Sequence, residues 1–203
     1  MNSGELLERS LAYALGCVAG VLPGSLGRAT PCARWDLEEL LRHLDDSVDV
    51  LHEGVAGGRV GLCPSPSPAD PVCAFRQRAR ALLGAWAVAS GELLSPRPSV
   101  GVGDRSLDLW LLAAVGAVEI AVHGWDVAQA CGRPRPIPSA LAAELLPIAR
   151  CFVAEADRGV RFAEPVDEPS TAWHRPEDRL LAFLGRRPSP PDFPCGPGVV
   201  RLP

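Results

Sequence analysis

The stretch from Leu107 to Ala130 constrains this chain more than any other. It reads as one long helix with apolar residues on nearly every side: Leu107, Trp110, Leu111, Leu112, Val115, Val118, Ile120, Val122, Trp125 and Val127. A helix that is apolar all round belongs in the interior of a fold. Yet this one also carries Glu119, His123 and Asp126. At about 100° per residue, the three fall within about 60° of one another on one face. Buried charges cost several kcal/mol unless they are paired or bind a metal. The polar stripe therefore needs a partner. A divalent cation suits carboxylate and imidazole together; a satisfied internal ion pair is the alternative reading.

The rest of the chain can supply a core around that helix. It has 203 residues and 47% apolar content, enough for one domain. The expected division is a helical bundle over residues 1–187 and a Pro-rich tail over 188–203. The net charge of −4 argues against a general nucleic-acid binder. The longest apolar run, Leu109 to Val122, is interrupted by Glu119, so no membrane span is expected. The N-terminus lacks a basic segment followed by an apolar one, so no signal peptide is expected. The cysteines (Cys17, Cys32, Cys63, Cys73, Cys131, Cys151, Cys195) are odd in number and form no CxxC pair. Scattered thiols of this kind read as reduced, in a cytoplasmic protein.

Strand signals are weak, and the periodicity predicts helices. The first runs from Ser3 to Val21, with Leu6, Leu7, Leu11, Leu15 and Val18 on one stripe, and stops before Pro23-Gly24. The second starts at Trp35-Asp36, where Asp36 caps and Glu39 follows three residues on, and stops at Gly54 and Gly57-Gly58. The run Pro64-Ser-Pro-Ser-Pro68 reads as a stiff connection. A third helix spans Pro71 to Leu94, and Pro96 to Gly103 reads as loop. The apolar helix comes fourth, capped by Asp104 or Ser106. A fifth runs from Ser139 to Asp157, with Pro147 as a kink, and a short helix covers Pro176 to Leu184. Long helices joined by such loops predict an all-α bundle.

Two motifs resemble a known family. Thr30-Pro31-Cys32-Ala33-Arg34-Trp35-Asp36-Leu37, continuing to His43-Leu44, resembles the TPC signature of the mycothiol-dependent maleylpyruvate isomerase N-terminal domain. Glu119-Ile-Ala-Val-His123-Gly-Trp-Asp126-Val-Ala is similar to the same family's E-L-x-x-H-x-W-D-L-A element. The ending, Arg161-Phe162 through Asp178 to Gly185-Arg186, looks like that of its short, single-domain actinobacterial branch. The resemblance implies a DinB-like four-helix bundle with additional short C-terminal helices. It also implies His43, Glu119 and His123 as ligands of a divalent metal, zinc first and nickel second.

The residues support that set without completing it. Glu119 and His123, at i and i+4, can meet one ion from a single helix. The helical wheel does not choose the third ligand. His43 lies about 120° from the centre of the Leu37/Leu41/Leu44/Val48 stripe and His52 about 60°; the family motif alone selects His43. Asp126 reads as a support for the ligands, or as a partner for an arginine, rather than as a ligand. Cys32 reads as a structural thiol, His174 as a solvated loop residue, and Trp35, Trp86, Trp110 and Trp125 as core. Arg76, Arg78 and Arg80 form either a solvated face or a contact for an anion.

Three ligands leave a metal position open. By the resemblance, the partners are mycothiol, a low-molecular-weight thiol, and a small electrophile. The expected activity is metal-dependent thiol (mycothiol) S-transfer or isomerase-like chemistry, in detoxification or secondary metabolism. The alternatives are a non-catalytic metal or small-molecule binding protein, and a bundle repurposed for another biosynthetic reaction. The family's two-domain members carry a second domain for which no room is left after the bundle. Isomerisation of maleylpyruvate is therefore not expected.

Overall fold

The computed structural model describes residues 3–32, 35–61, 63, 69–92, 98–159, 162–166 and 174–188. Six helices account for most of it: α1 (Ser3–Val18), α2 (Leu37–Gly57), α3 (Pro71–Glu92), α4 (Leu109–Ala130), α5 (Ser139–Phe152) and α6 (Pro176–Phe183). The chain is all-α in class, with a small three-stranded sheet among the described residues. The Pro-rich connection at 64–68, Arg34, Arg161 and the tail beyond 188 lie outside the described residues.

α2 starts where its capping chemistry predicts. Asp36 Oδ1 accepts from the Glu39 amide at 2.9 Å, and Glu39 Oε2 accepts from the Asp36 amide at 3.0 Å. The helix closes on Gly58 at a φ of 65°, a left-handed conformation that favours glycine. Leu37, Leu40, Leu41, Leu44 and Val48 are all fully buried along its inner stripe.

α4 is the central helix, and its apolar girth is explained by what surrounds it. By length and composition it is long and apolar enough to cross a membrane, but 72% of that apolar window is buried within the fold. α1 and α2 approach it over glycines. A Cβ at Gly124 would lie 3.1 Å from Ala14 of α1, and one at Gly116 would lie 2.6 Å from Leu51 of α2. A larger residue at Gly124 would press on the α1 backbone, and one at Gly116 would require the Leu51 side chain to shift. α3 packs against α2 and α1, and α5 packs against α4, α1 and α6.

The sheet corrects the expected loop over Pro96 to Gly103 and the expected start of the fourth helix. β1 (Arg59–Val60) runs parallel to β2 (Ser99–Val102), which pairs antiparallel with β3 (Arg105–Asp108). The β2–β3 hairpin turns at Gly103-Asp104, with Gly103 at a φ of 59°. Leu107 is therefore a strand residue. The cap of α4 is Asp108, not Asp104 or Ser106; its Oδ1 accepts from Trp110 N at 2.8 Å and Leu111 N at 3.2 Å. Two other helices are shorter than their periodicity suggests. α1 ends at Val18, and α5 ends at Phe152 before a separate turn of 3-10 helix, Glu155–Asp157.

Candidate metal centre

α2 and α4 present their polar residues to one another at a shared seam. His123 sits one turn below Glu119 on α4, and its Nε2 lies 3.2 Å from Glu119 Oε2. His43, from α2, places its Nε2 3.8 Å from the same oxygen. One donor atom from each of His43, Glu119 and His123 lies within 4.8 Å of the other two. The two imidazoles meet edge to face, with ring centroids 5.0 Å apart. Trp35, just before α2, packs against His43 at 4.4 Å between centroids and limits where that ring can turn. The Thr30 hydroxyl lies 2.8 Å from the Trp35 carbonyl and 3.0 Å from that of Cys32, which fixes the turn carrying both residues.

Asp126 lies behind His123. It is fully buried, and its Oδ2 sits 2.9 Å from His123 Nδ1. Arg186 completes the arrangement, with Nη2 2.9 Å from Asp126 Oδ2 and Nε 3.4 Å from Oδ1. Burial alone would raise the Asp126 carboxyl, but the hydrogen bond from His123 and the charge of Arg186 hold it below the usual range. An ionised carboxylate only accepts, so His123 Nδ1 must carry the proton. That leaves Nε2 as the atom facing Glu119 and His43.

The polar stripe is strongly perturbed. Burial would push Glu119 up, yet the neighbouring His123 and His43 rings outweigh it and hold the carboxyl well below the ordinary carboxylate range. Burial would push His123 down, yet Asp126 and Glu119 raise it from 6.5 to about 9. Without a metal, His123 is thus an imidazolium between two carboxylates. The folded state holds that proton more tightly than the unfolded chain does. Its stabilisation is complete below about 6.5 and is lost as pH rises through about 9. The melting temperature of metal-free protein is expected to fall by several degrees between neutral pH and pH 10 on this account. An unchanged thermal transition across that interval would contradict it.

A cleft of about 610 Å³ opens over these residues. Its floor is His43, Glu119 and His123; Pro31, Cys32 and Trp35 form one wall. Phe162, Ala163, Leu184, Gly185 and Arg186 form the other. The His123 side chain is 7% exposed, whereas Glu119 and His43 are 33% and 35% exposed, so the donors face the cleft on one side only. Arg158 holds the second wall in place by donating to the carbonyls of Ala163 (3.0 Å) and Phe183 (2.9 Å).

Cys32 lines the cleft but is not among the three clustered donors. Arg78 is half-buried and does not line the cleft. It spans from α3 to α2, pairing with Asp45 Oδ1 at 3.2 Å and with Asp49. Burial raises the Asp45 carboxyl and Arg78 opposes that rise, which is the behaviour of a helix-to-helix tie. Arg76 is half-buried, Arg80 and His174 are exposed, and His52 is half-buried outside the cluster. Trp86 and Trp110 pack edge to face at 5.5 Å, away from the cleft. Arg186 is the site residue that sequence reasoning missed. Its only signal was that Asp126, buried on an apolar helix, required a cation.

Residues 7–128 match the mycothiol maleylpyruvate isomerase N-terminal domain family. Two proteins of Mycobacterium tuberculosis, described as uncharacterized, are similar to the chain. One is from strain CDC 1551 / Oshkosh and the other from strain ATCC 25618 / H37Rv. Each is 28% identical over 171 residues, covering 83% of this chain and 89% of the relative. No solved structure matches the chain.

Proposed function

The chain belongs to the mycothiol maleylpyruvate isomerase N-terminal domain family, and on that premise we propose that it is a metal-dependent thiol S-transferase-like enzyme acting on a small electrophile. The observation that supports this most is the convergence of three donor atoms, from two helices, at the floor of a cleft. Two imidazole nitrogens and a carboxylate oxygen are a donor set that suits zinc, with nickel as the second choice. Asp126 adds the hydrogen bond to the far ring nitrogen that metal-bound histidines ordinarily make. His43, Glu119 and His123 would hold the ion. A divalent ion there favours the thiolate form of a bound thiol near neutral pH. The family makes mycothiol the expected thiol.

The chain's own residues supply the rest. Trp35 keeps the His43 ring in the seam, and Asp126 keeps the His123 ring turned toward Glu119. Val118, Val122, Phe162 and Leu184 give the cleft an apolar lining beside the donors that suits an electrophile with an apolar body. Holding thiol and electrophile together turns a bimolecular encounter into an oriented one, a recognised source of rate. An assay with mycothiol and an activated aryl halide tests this. Metal-loaded protein is expected to consume thiol and aryl halide in equal amounts, forming one C–S bond and releasing one halide ion and one proton per turnover, and metal-stripped protein to fall to the background rate. Equal rates with and without metal would reject the proposal; no conjugation by either, with intact metal uptake, would favour a metal-binding protein.

A further inference from the structure

Arg186 comes from the end of the described chain, outside the family-matched residues 7–128, yet it borders the cleft. Its side chain is 10% exposed and its donors are directed inward. Nε and Nη2 address the two oxygens of Asp126, at 3.4 Å and 2.9 Å, and Nη1 donates to the Leu184 carbonyl at 2.9 Å. The backbone that delivers it is tightly specified. Gly185 has a φ of 77°, and a Cβ there would lie 2.5 Å from Ala163 Cβ and 2.8 Å from the Glu164 carbonyl. A side chain at residue 185 would therefore displace the departure point of Arg186.

We propose that Arg186 is a positioning residue of the metal centre: it orients Asp126, and through Asp126 it fixes the ring of His123 with Nε2 toward Glu119 and His43. The proposal rests on the metal-centre reading above and extends it to a residue beyond the matched region. The terminal torsions of Asp and His are broad, so neither side chain holds its own plane. A guanidinium fork matches both oxygens of a carboxylate and sets that plane. Asp126 then directs its Oδ2 at His123 Nδ1. A lysine would keep the charge beside Asp126 but lose the fork, which separates orientation from simple neutralisation of a buried carboxylate.

Cobalt(II) titration, followed by its visible absorption, tests this in full-length wild type, Arg186→Lys, Arg186→Gln, Asp126→Asn and the Arg186→Gln/Asp126→Asn double variant. Circular dichroism reports whether each variant keeps its helices. Arg186→Lys and Arg186→Gln are each expected to weaken cobalt binding by about 10–100-fold, with altered visible bands. The double variant should bind no more weakly than the weaker single, because Arg186 acts through Asp126. If Arg186→Gln loses its helical signal, Arg186→Lys decides. Wild-type affinity and spectrum in Arg186→Lys, or fold-changes that multiply in the double variant, would overturn the proposal while leaving the metal centre intact. Failure of the wild type to take up cobalt would overturn the metal-centre reading, and this proposal with it.

Discussion

His123→Ala is expected to empty the metal centre. Wild-type protein purified from zinc-supplemented cells should carry about one divalent ion per chain, in a site with three protein ligands. The substitution removes the Nε2 donor and leaves only Glu119 and His43, two side chains that are each a third exposed. It also removes the ring that orders Glu119, whose oxygen lies 3.2 Å from Nε2. The loss of affinity should exceed the roughly 10–100-fold typical of removing a residue that merely supports a ligand. The fold should survive, because Asp126 keeps its ion pair with Arg186 and is not left buried and unpaired. His52→Ala, on the same helix as His43 but outside the cluster, should retain full occupancy. Elemental analysis of the three proteins, each checked for helical content, measures this. Full occupancy in His123→Ala would reject its role as a ligand.

The helices were legible because each carries its own local instructions. Asp36 and Glu39 announce the start of α2, and Gly58 its end. The α2 leucines mark the buried stripe, and the girth of α4 marks it as central. The sheet was not legible, since strands of two to four residues are too short for alternation to show. Its single local sign was the Gly103-Asp104 pair, which the neighbouring apolar run obscured.

The site divides in the same way. Glu119, His123 and Asp126 share one face of one helix, so periodicity alone groups them. His43 cannot be found from its own helix. It faces the α2–α4 seam rather than the middle of the leucine stripe, and a wheel centred on that stripe points to His52. Arg186 is harder still. It reaches Asp126 across 60 residues, from a turn whose geometry depends on Gly185 passing close to Ala163. No periodicity within one helix records such a contact. The Arg78 tie to Asp45 and Asp49 was hidden for the same reason, since α3 shows its arginines but not the carboxylates of α2 that meet them.

The second large effect concerns the thiol. If the metal centre exists to bind a thiol as thiolate, affinity for that thiol must depend on the ion. In the metal-free state, an imidazolium at His123 is already paired with Glu119 and Asp126, so the stripe has no unmet demand for a partner. The remaining lining is largely apolar and gives a small polar thiol little to hold. The metal-dependent part of the affinity should therefore dominate. Isothermal calorimetry of mycothiol against metal-loaded and metal-stripped wild-type protein measures it directly. The account predicts saturable binding to the loaded protein and no detectable binding to the stripped protein; equal affinity in both, or none in either, would contradict it.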